Sequence, residues 1–132
     1  MNAFSGANAY QQVNRFSAVE GASPHQLVSM LMQGAIDRLA IGKGMMERRD
    51  YAGKGEILAK VIAIITELKG ALDHENGGEI AANLNDLYDY MMRAILAATT
   101  NNDPAQLDHV AELMGGLLQS WNSIPQQDRV KP

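Results

Sequence analysis

The stretch ILAKVIAIITEL, residues 57–68, decides the fold. Taken alone, its crowded isoleucines and valine read as a strand, because β-branched side chains suit a pleated surface. Length and spacing favour a helix. The apolar set Ile57, Leu58, Val61, Ile62, Ile64, Ile65, Leu68, Ala71 and Leu72 recurs with a 3.6-residue period over a run too long for a strand, with Lys and Glu on its flanks. Asp50 is its expected N-cap. Asn76-Gly77-Gly78 is its expected end, since Asn and Gly tolerate the left-handed C-cap conformation.

Working outward, Ser23-Pro24-His25-Gln26 is a capping box with proline at the first helical position. Helix one follows, with Leu27, Leu31, Ala35 and Leu39, and Val28, Met32 and Ile36, at helical spacing. It fades at Arg48-Arg49, cations suited to a helix C-terminus. Helix three is expected from about Glu79 to Thr99, carrying Ile80, Leu84, Leu87, Tyr88, Met91 and Ile95. Asp103-Pro104-Ala105-Gln106 reads as a second capping box opening helix four, which holds Leu107, Val110, Met114, Leu117, Leu118 and Trp121 and closes at Pro125. Four helices of roughly 20 residues, each about 30 Å long, joined by short turns, predict an all-α fold. It is an antiparallel up-down four-helix bundle over residues 23–125. Residues 1–22 read as a mobile N-terminal arm with room for one short helix near 10–16, and 126–132 as a polar tail.

The 132 residues suit one domain, and the absence of cysteine excludes a disulfide framework and thiol chemistry. A net charge of −4 argues against a nucleic-acid partner. Arg48, Arg49 and Lys54 read as a solvated helix end. The longest strongly apolar run, 61–65, is far short of the roughly 20 residues that a bilayer requires, so no membrane insertion is expected. The polar first 22 residues lack the basic start and apolar core of a Sec signal peptide.

Catalytic parts are missing. A di-metal bundle site needs inward Glu-x-x-His pairs, and none occurs; His109 and Glu112 have the reverse order, once. His25, His74 and His109 read as solvated helix-end residues, with His74 near the end of helix two. Asp86 and Asp89 read as polar exterior. Gly77-Gly78 and Gly115-Gly116 follow no strand and make no phosphate loop. No enzyme, metal or cofactor is therefore expected. Gly115-Gly116 costs a helix about 1–2 kcal/mol relative to alanine. Close approach of a neighbouring helix or bound chain would compensate; a tolerated kink is the plainer alternative.

Helices two and three are apolar over arcs of roughly 180° at about 100° per residue, wider than the stripe an ordinary amphipathic helix needs. Something must cover the surplus: the arm, a second copy of the chain, or a partner. Eight methionines add soft, adaptable surface.

An ordered set of residues carries a resemblance. It comprises Asn8-Ala9-Tyr10-Gln11-Gln12, Ala22-Ser23-Pro24-His25-Gln26-Leu27, Gly34-Ala35, Gly77-Gly78-Glu79-Ile80-Ala81-Ala82-Asn83-Leu84, Leu87-Tyr88-Asp89-Tyr90-Met91 and Trp121. Over residues 8–122 the chain resembles the flagellin-specific export chaperone family, FliS. The resemblance implies a cytoplasmic helical bundle that binds the disordered C-terminal segment of flagellin. It implies that the bundle prevents premature polymerisation and assists delivery to the flagellar type III export apparatus, without ATP or cofactor. Met32 and Gln33 stand where many members carry an aromatic residue and an aspartate. The expected flagellin groove lies between helices two and three. Ile57, Ile64 and Leu68 line one side, and Leu84, Leu87, Tyr88, Met91 and Met92 the other. Tyr10, Val13 and Phe16 of the arm are expected to cover it beforehand. A self-associating bundle, as a weak homodimer, or one that binds another flagellar regulator stays open as the alternative.

Overall fold

The computed structural model describes residues 22–129. Tyr10, Val13 and Phe16, with the rest of the expected arm before Ala22, lie outside the described residues.

Side-chain caps set where the helices begin. Ser23 opens α1 (Pro24–Glu47) with a complete box: its Oγ accepts from Gln26 N at 3.1 Å, and Gln26 Oε1 accepts from Ser23 N at 2.9 Å. Asp50 opens α2 (Tyr51–Gly70) by accepting from Gly53 N at 2.9 Å. Asp73 opens α3 (His74–Asn101) and Asp103 opens α4 (Pro104–Asn122), accepting from Asn76 N and Ala105 N, each at 3.1 Å. Each cap satisfies an orphan N–H and contributes about 1 kcal/mol. The backbone and side-chain hydrogen bonds from Asn76 hold the Asp73 carboxyl below the usual carboxylate range.

The ends of the helices reveal the topology. His25 at the start of α1 meets Trp121 late in α4, and Lys43 late in α1 pairs with Asp108 early in α4 at 2.9 Å. Lys54 early in α2 reaches the end of α3 at Thr99 and Asn102. Neighbours therefore run antiparallel, as the up-down bundle requires. α1 packs closely on α2 and α4, and α3 completes the ring between them more openly.

Each helix sends large side chains to one core, sealed from solvent: Leu39, Met46, Leu58, Ile65, Met91, Ile95, Leu107 and Met114. The deciding stretch is helical throughout. Val61, Ile64, Ile65 and Leu68 are buried, and Ile57 and Ile62 pack partly against the core.

Several expectations change. Helix α2 ends at Gly70, before Asn76-Gly77-Gly78. Asp73 nucleates a new turn there, so His74 opens α3 instead of trailing α2. Gly78, at φ 51 and ψ −124, breaks that first turn from the long body of α3. Only glycine occupies this region without strain. Asp103 caps without a box: its carboxylate takes the N–H of Ala105 rather than of Gln106, and its own N–H donates to Ala98 O at 3.0 Å. α4 stops at Asn122, three residues before Pro125, and Gln126–Asp128 forms one 3-10 turn.

Lys54 is buried, not solvated. Its Nζ donates to Thr99 O at 2.9 Å and Asn102 Oδ1 at 2.8 Å, and lies 4.9 Å from the Tyr51 ring centroid. The ammonium thus serves orphan groups at the C-terminus of α3, where the dipole favours a cation. Asn102, left-handed at φ 50, also donates from Nδ2 to Met46 O at 3.3 Å, joining the end of α1.

Gly115 and Gly116 meet no close neighbour: a Cβ at either would find nothing within 4 Å. The tight helix contact that would compensate them is absent among the described residues.

Three substitutions test these contacts. Lys54→Ala should destabilise by about 1–3 kcal/mol, the usual cost of leaving buried polar groups unpaired, whereas exposed Lys60→Ala should stay within roughly 0.5 kcal/mol. Gly116→Ala, entering an exposed helical site, should stabilise by about 0.5–1 kcal/mol. Urea denaturation of the three variants measures all of this.

Candidate functional site

At the end of the bundle where α1 and α3 begin and α2 and α4 finish, the four helices do not close. An apolar pocket of about 400 Å³ opens between them. Val28 and Met32 of α1 line it, with Leu68 of α2 and Ala71 and Leu72 just beyond. Ile80, Leu84 and Tyr88 come from α3, and Leu117, Ser120 and Trp121 from α4, with Ile124 following. Helical spacing explains the wall on α3: residues 80, 84 and 88 stand one above another, one turn apart. The lining carries no charged side chain. Such a pocket recognises apolar groups, and the hydroxyls of Ser120 and Tyr88 are the polar side-chain groups of its lining.

Tyr88 is nearly buried. Burial pushes its hydroxyl up to about 12, so the ring stays neutral across the working pH range. Trp121 is held by a reciprocal clasp with His25. Its Nε1 donates to His25 O at 2.9 Å, and His25 Nε2 donates to Trp121 O at 2.7 Å. The rings stack with centroids 4.7 Å apart and 8° between planes. The carbonyl can only accept, so Nε2 carries a proton. His25, expected in solvent, is 3% exposed, and its work is to seat the indole that walls the pocket. Ser29 Oγ donates to Asn122 Oδ1 beside this clasp.

The sequence-derived groove is only partly assembled here. Leu68, Leu84 and Tyr88 come together in the pocket. Ile57 lies on the α1 side of α2, close to Gly42, and Ile64 faces Gly34 of α1. Met91 is wholly buried in the core, and Leu87 packs partly against it. Met92 sits at the α2–α3 seam, where Thr66 Oγ1 approaches its Sδ at 3.8 Å. Val28, Met32, Leu117, Trp121 and Ile124 are pocket residues that reading α2 and α3 alone missed. Their signal was the apolar spacing on α1 and α4, which cannot say which residues share one end of a bundle.

Several other polar groups have plain structural partners. Tyr90 Oη and His109 Nε2 lie 2.9 Å apart on the α3–α4 surface, and Asp89 pairs with Lys69 at 2.7 Å. Among the described residues no three His, Asp or Glu side chains gather as a metal site would require, and no helix is long and apolar enough to cross a membrane.

The family described as "Flagellar protein FliS" matches residues 6–128. The chain is 46% identical over 121 residues to the flagellar secretion chaperone FliS of Salmonella typhimurium, covering 91% of this chain and 90% of that protein. It is 43% identical over 124 residues to the flagellar secretion chaperone FliSB of Pseudomonas aeruginosa, covering 94% and 98%. With FliS of Bacillus subtilis it shares 31% identity over 121 residues, covering 92% and 86%.

Tyr88 gives the pocket a pH signature. Its folded value lies near 12 against 10 when unfolded. Stability is therefore whole below pH 10 and falls as pH climbs towards 12, at about 1.4 kcal/mol per unit. Tyr88→Phe should remove that part of the alkaline loss, read as a shallower fall in urea midpoint between pH 10 and 12.

Proposed function

Since the chain belongs to the family of flagellar protein FliS, we propose that it is a flagellar secretion chaperone whose client is the disordered C-terminal segment of flagellin. It holds that segment in the cytoplasm, prevents premature polymerisation and presents it to the type III export apparatus. The observation that carries the reading is a solvent-open apolar pocket in a bundle whose core is already complete without it.

The mechanism is helix-in-groove recognition. An amphipathic client segment places bulky apolar side chains in the pocket and lays its remaining apolar face along the bundle. Met92 at the α2–α3 seam and Leu96, one helical turn further along α3 and 60% exposed, add apolar surface beyond the pocket. Ordering a disordered client costs several kcal/mol. One pocket must therefore be joined by a longer apolar track, since burial returns only about 25 cal/mol per Å². The work is binding alone and needs no cofactor.

Leu68 and Tyr88 are too buried to serve as probes, because a charge there would unfold the bundle. Leu84 is half-buried on the pocket wall and separates the two effects. Leu84→Ser should retain helical circular dichroism yet weaken co-purification with flagellin by about tenfold or more, and flagellin lacking its C-terminal segment should not co-purify at all. Full binding by Leu84→Ser would move the docking place elsewhere. A stable dimer by light scattering that ignores flagellin would favour self-association.

A further inference from the structure

The mouth of the pocket spans a break in α3. Ala71 and Leu72 form its wall on one side of the short turn 73–77, and Ile80 forms its wall just after Gly78. Gly78 is the non-helical point inside α3, at φ 51 and ψ −124. The capping bonds of the turn stay within it: Asn76 N to Asp73 Oδ1 at 3.1 Å, Asn76 Nδ2 to Asp73 Oδ2 at 2.8 Å, and Gly77 N to Asp73 O at 2.7 Å. The residues of the turn are largely exposed. A rotation at Gly78 changes the separation of Leu72 from Ile80, and with it the width of the mouth. Ile80 is the most exposed of the large hydrophobic residues described, at 72%, although it lines an apolar pocket. An aliphatic side chain so placed has one edge on the pocket and the rest in water. Its contact surface is completed only when a ligand fills the mouth.

Resting on the docking reading above, we propose that Ile80 is a client-contact residue that closes over an apolar side chain of the bound flagellin segment, and that Gly78 is the positioning residue that lets it do so. Alanine at Gly78 meets nothing within 4 Å, so sterics with neighbours do not forbid it. Its backbone conformation does. The relief available is to continue the helix from 74 through 101, which would carry Ile80 and Leu72 out of their present relation.

Trp121 is the chain's only tryptophan and a wall of this pocket, so its emission reports occupancy directly. The test is titration of full-length wild type, Ile80→Ala, Ile80→Val and Gly78→Ala with a synthetic peptide of flagellin's C-terminal segment, followed by Trp121 fluorescence, with thermal midpoints measured alongside. Wild-type emission should shift on binding. Ile80→Ala should bind about tenfold more weakly at an unchanged thermal midpoint, and Ile80→Val should restore affinity to within about twofold. Gly78→Ala should lower the thermal midpoint, and, measured well below that midpoint where helical circular dichroism shows it folded, should bind at least fivefold more weakly. If emission shifts but Ile80→Ala binds within twofold of wild type, this inference fails and the docking reading stands. Wild-type affinity in Gly78→Ala removes the positioning role of Gly78. If the peptide binds with no change in Trp121 emission, the pocket is not the docking place and both readings fall.

Discussion

The clasp between His25 and Trp121 ties α1 to α4 at the end of the bundle that holds the pocket. It joins residues almost a hundred positions apart, at the first turn of α1 and the last of α4. Two hydrogen bonds in opposite senses and a stacked ring pair fix both the distance and the rotation of the two helices at that end. With α4 held there, α1 has a close neighbour on each side and its core stripe is covered. The clasp also decides the pocket, because the indole it orients is one of the walls.

The opposite end is closed differently, and the contrast explains where the pocket lies. Lys54 donates to the last turn of α3, and Asn102 carries the connection on to the end of α1. That end of α3 is therefore pinned to two helices by buried polar groups. Among the described residues its beginning has no such tie; the side-chain bonds of the turn 73–77 stay within the turn, and Gly78 separates it from the helix body. A helix fixed at one end and free at the other leaves space at the free end. There the apolar wall of Leu84 and Tyr88 faces α1 and α4 across a gap instead of against a neighbour. Under the proposed function that gap is what holds the client, since a sealed core has no apolar surface left to offer.

Buried polar side chains carry the features that sequence reading placed wrongly. His25 and Lys54 sit at helix ends in the sequence, where most such residues are solvated. Both turn out to be interior ties, and each is tolerated because a backbone carbonyl on another helix receives its proton. No periodicity announces such a partner, since donor and acceptor are 96 and 45 residues apart. The turn between α2 and α3 was misplaced for a local reason. Asn-Gly-Gly is a strong stop signal, but Asp73 upstream is a strong start signal, and the chain satisfies both by making one turn and then breaking it at Gly78.

What the sequence determined by itself is whatever depends on neighbours within about four residues. The period of 57–68 made a helix of a β-branched run, Ser23, Asp50 and Asp103 placed three of the starts, and short connections made the bundle antiparallel. The ordered motifs from Tyr10 to Trp121 carried the family. The tertiary structure alone decided which apolar residues fill the core and which remain open. Ile64 and Met91 share their helical periodicity with Leu68 and Tyr88, yet the former pair lies wholly inside the core and the latter also lines the pocket. An apolar stripe records that a residue leaves water, not what it meets on leaving. That depends on how closely the next helix approaches, and the approach is set by ties such as His25–Trp121 and Lys54–Asn102, between residues distant in the chain.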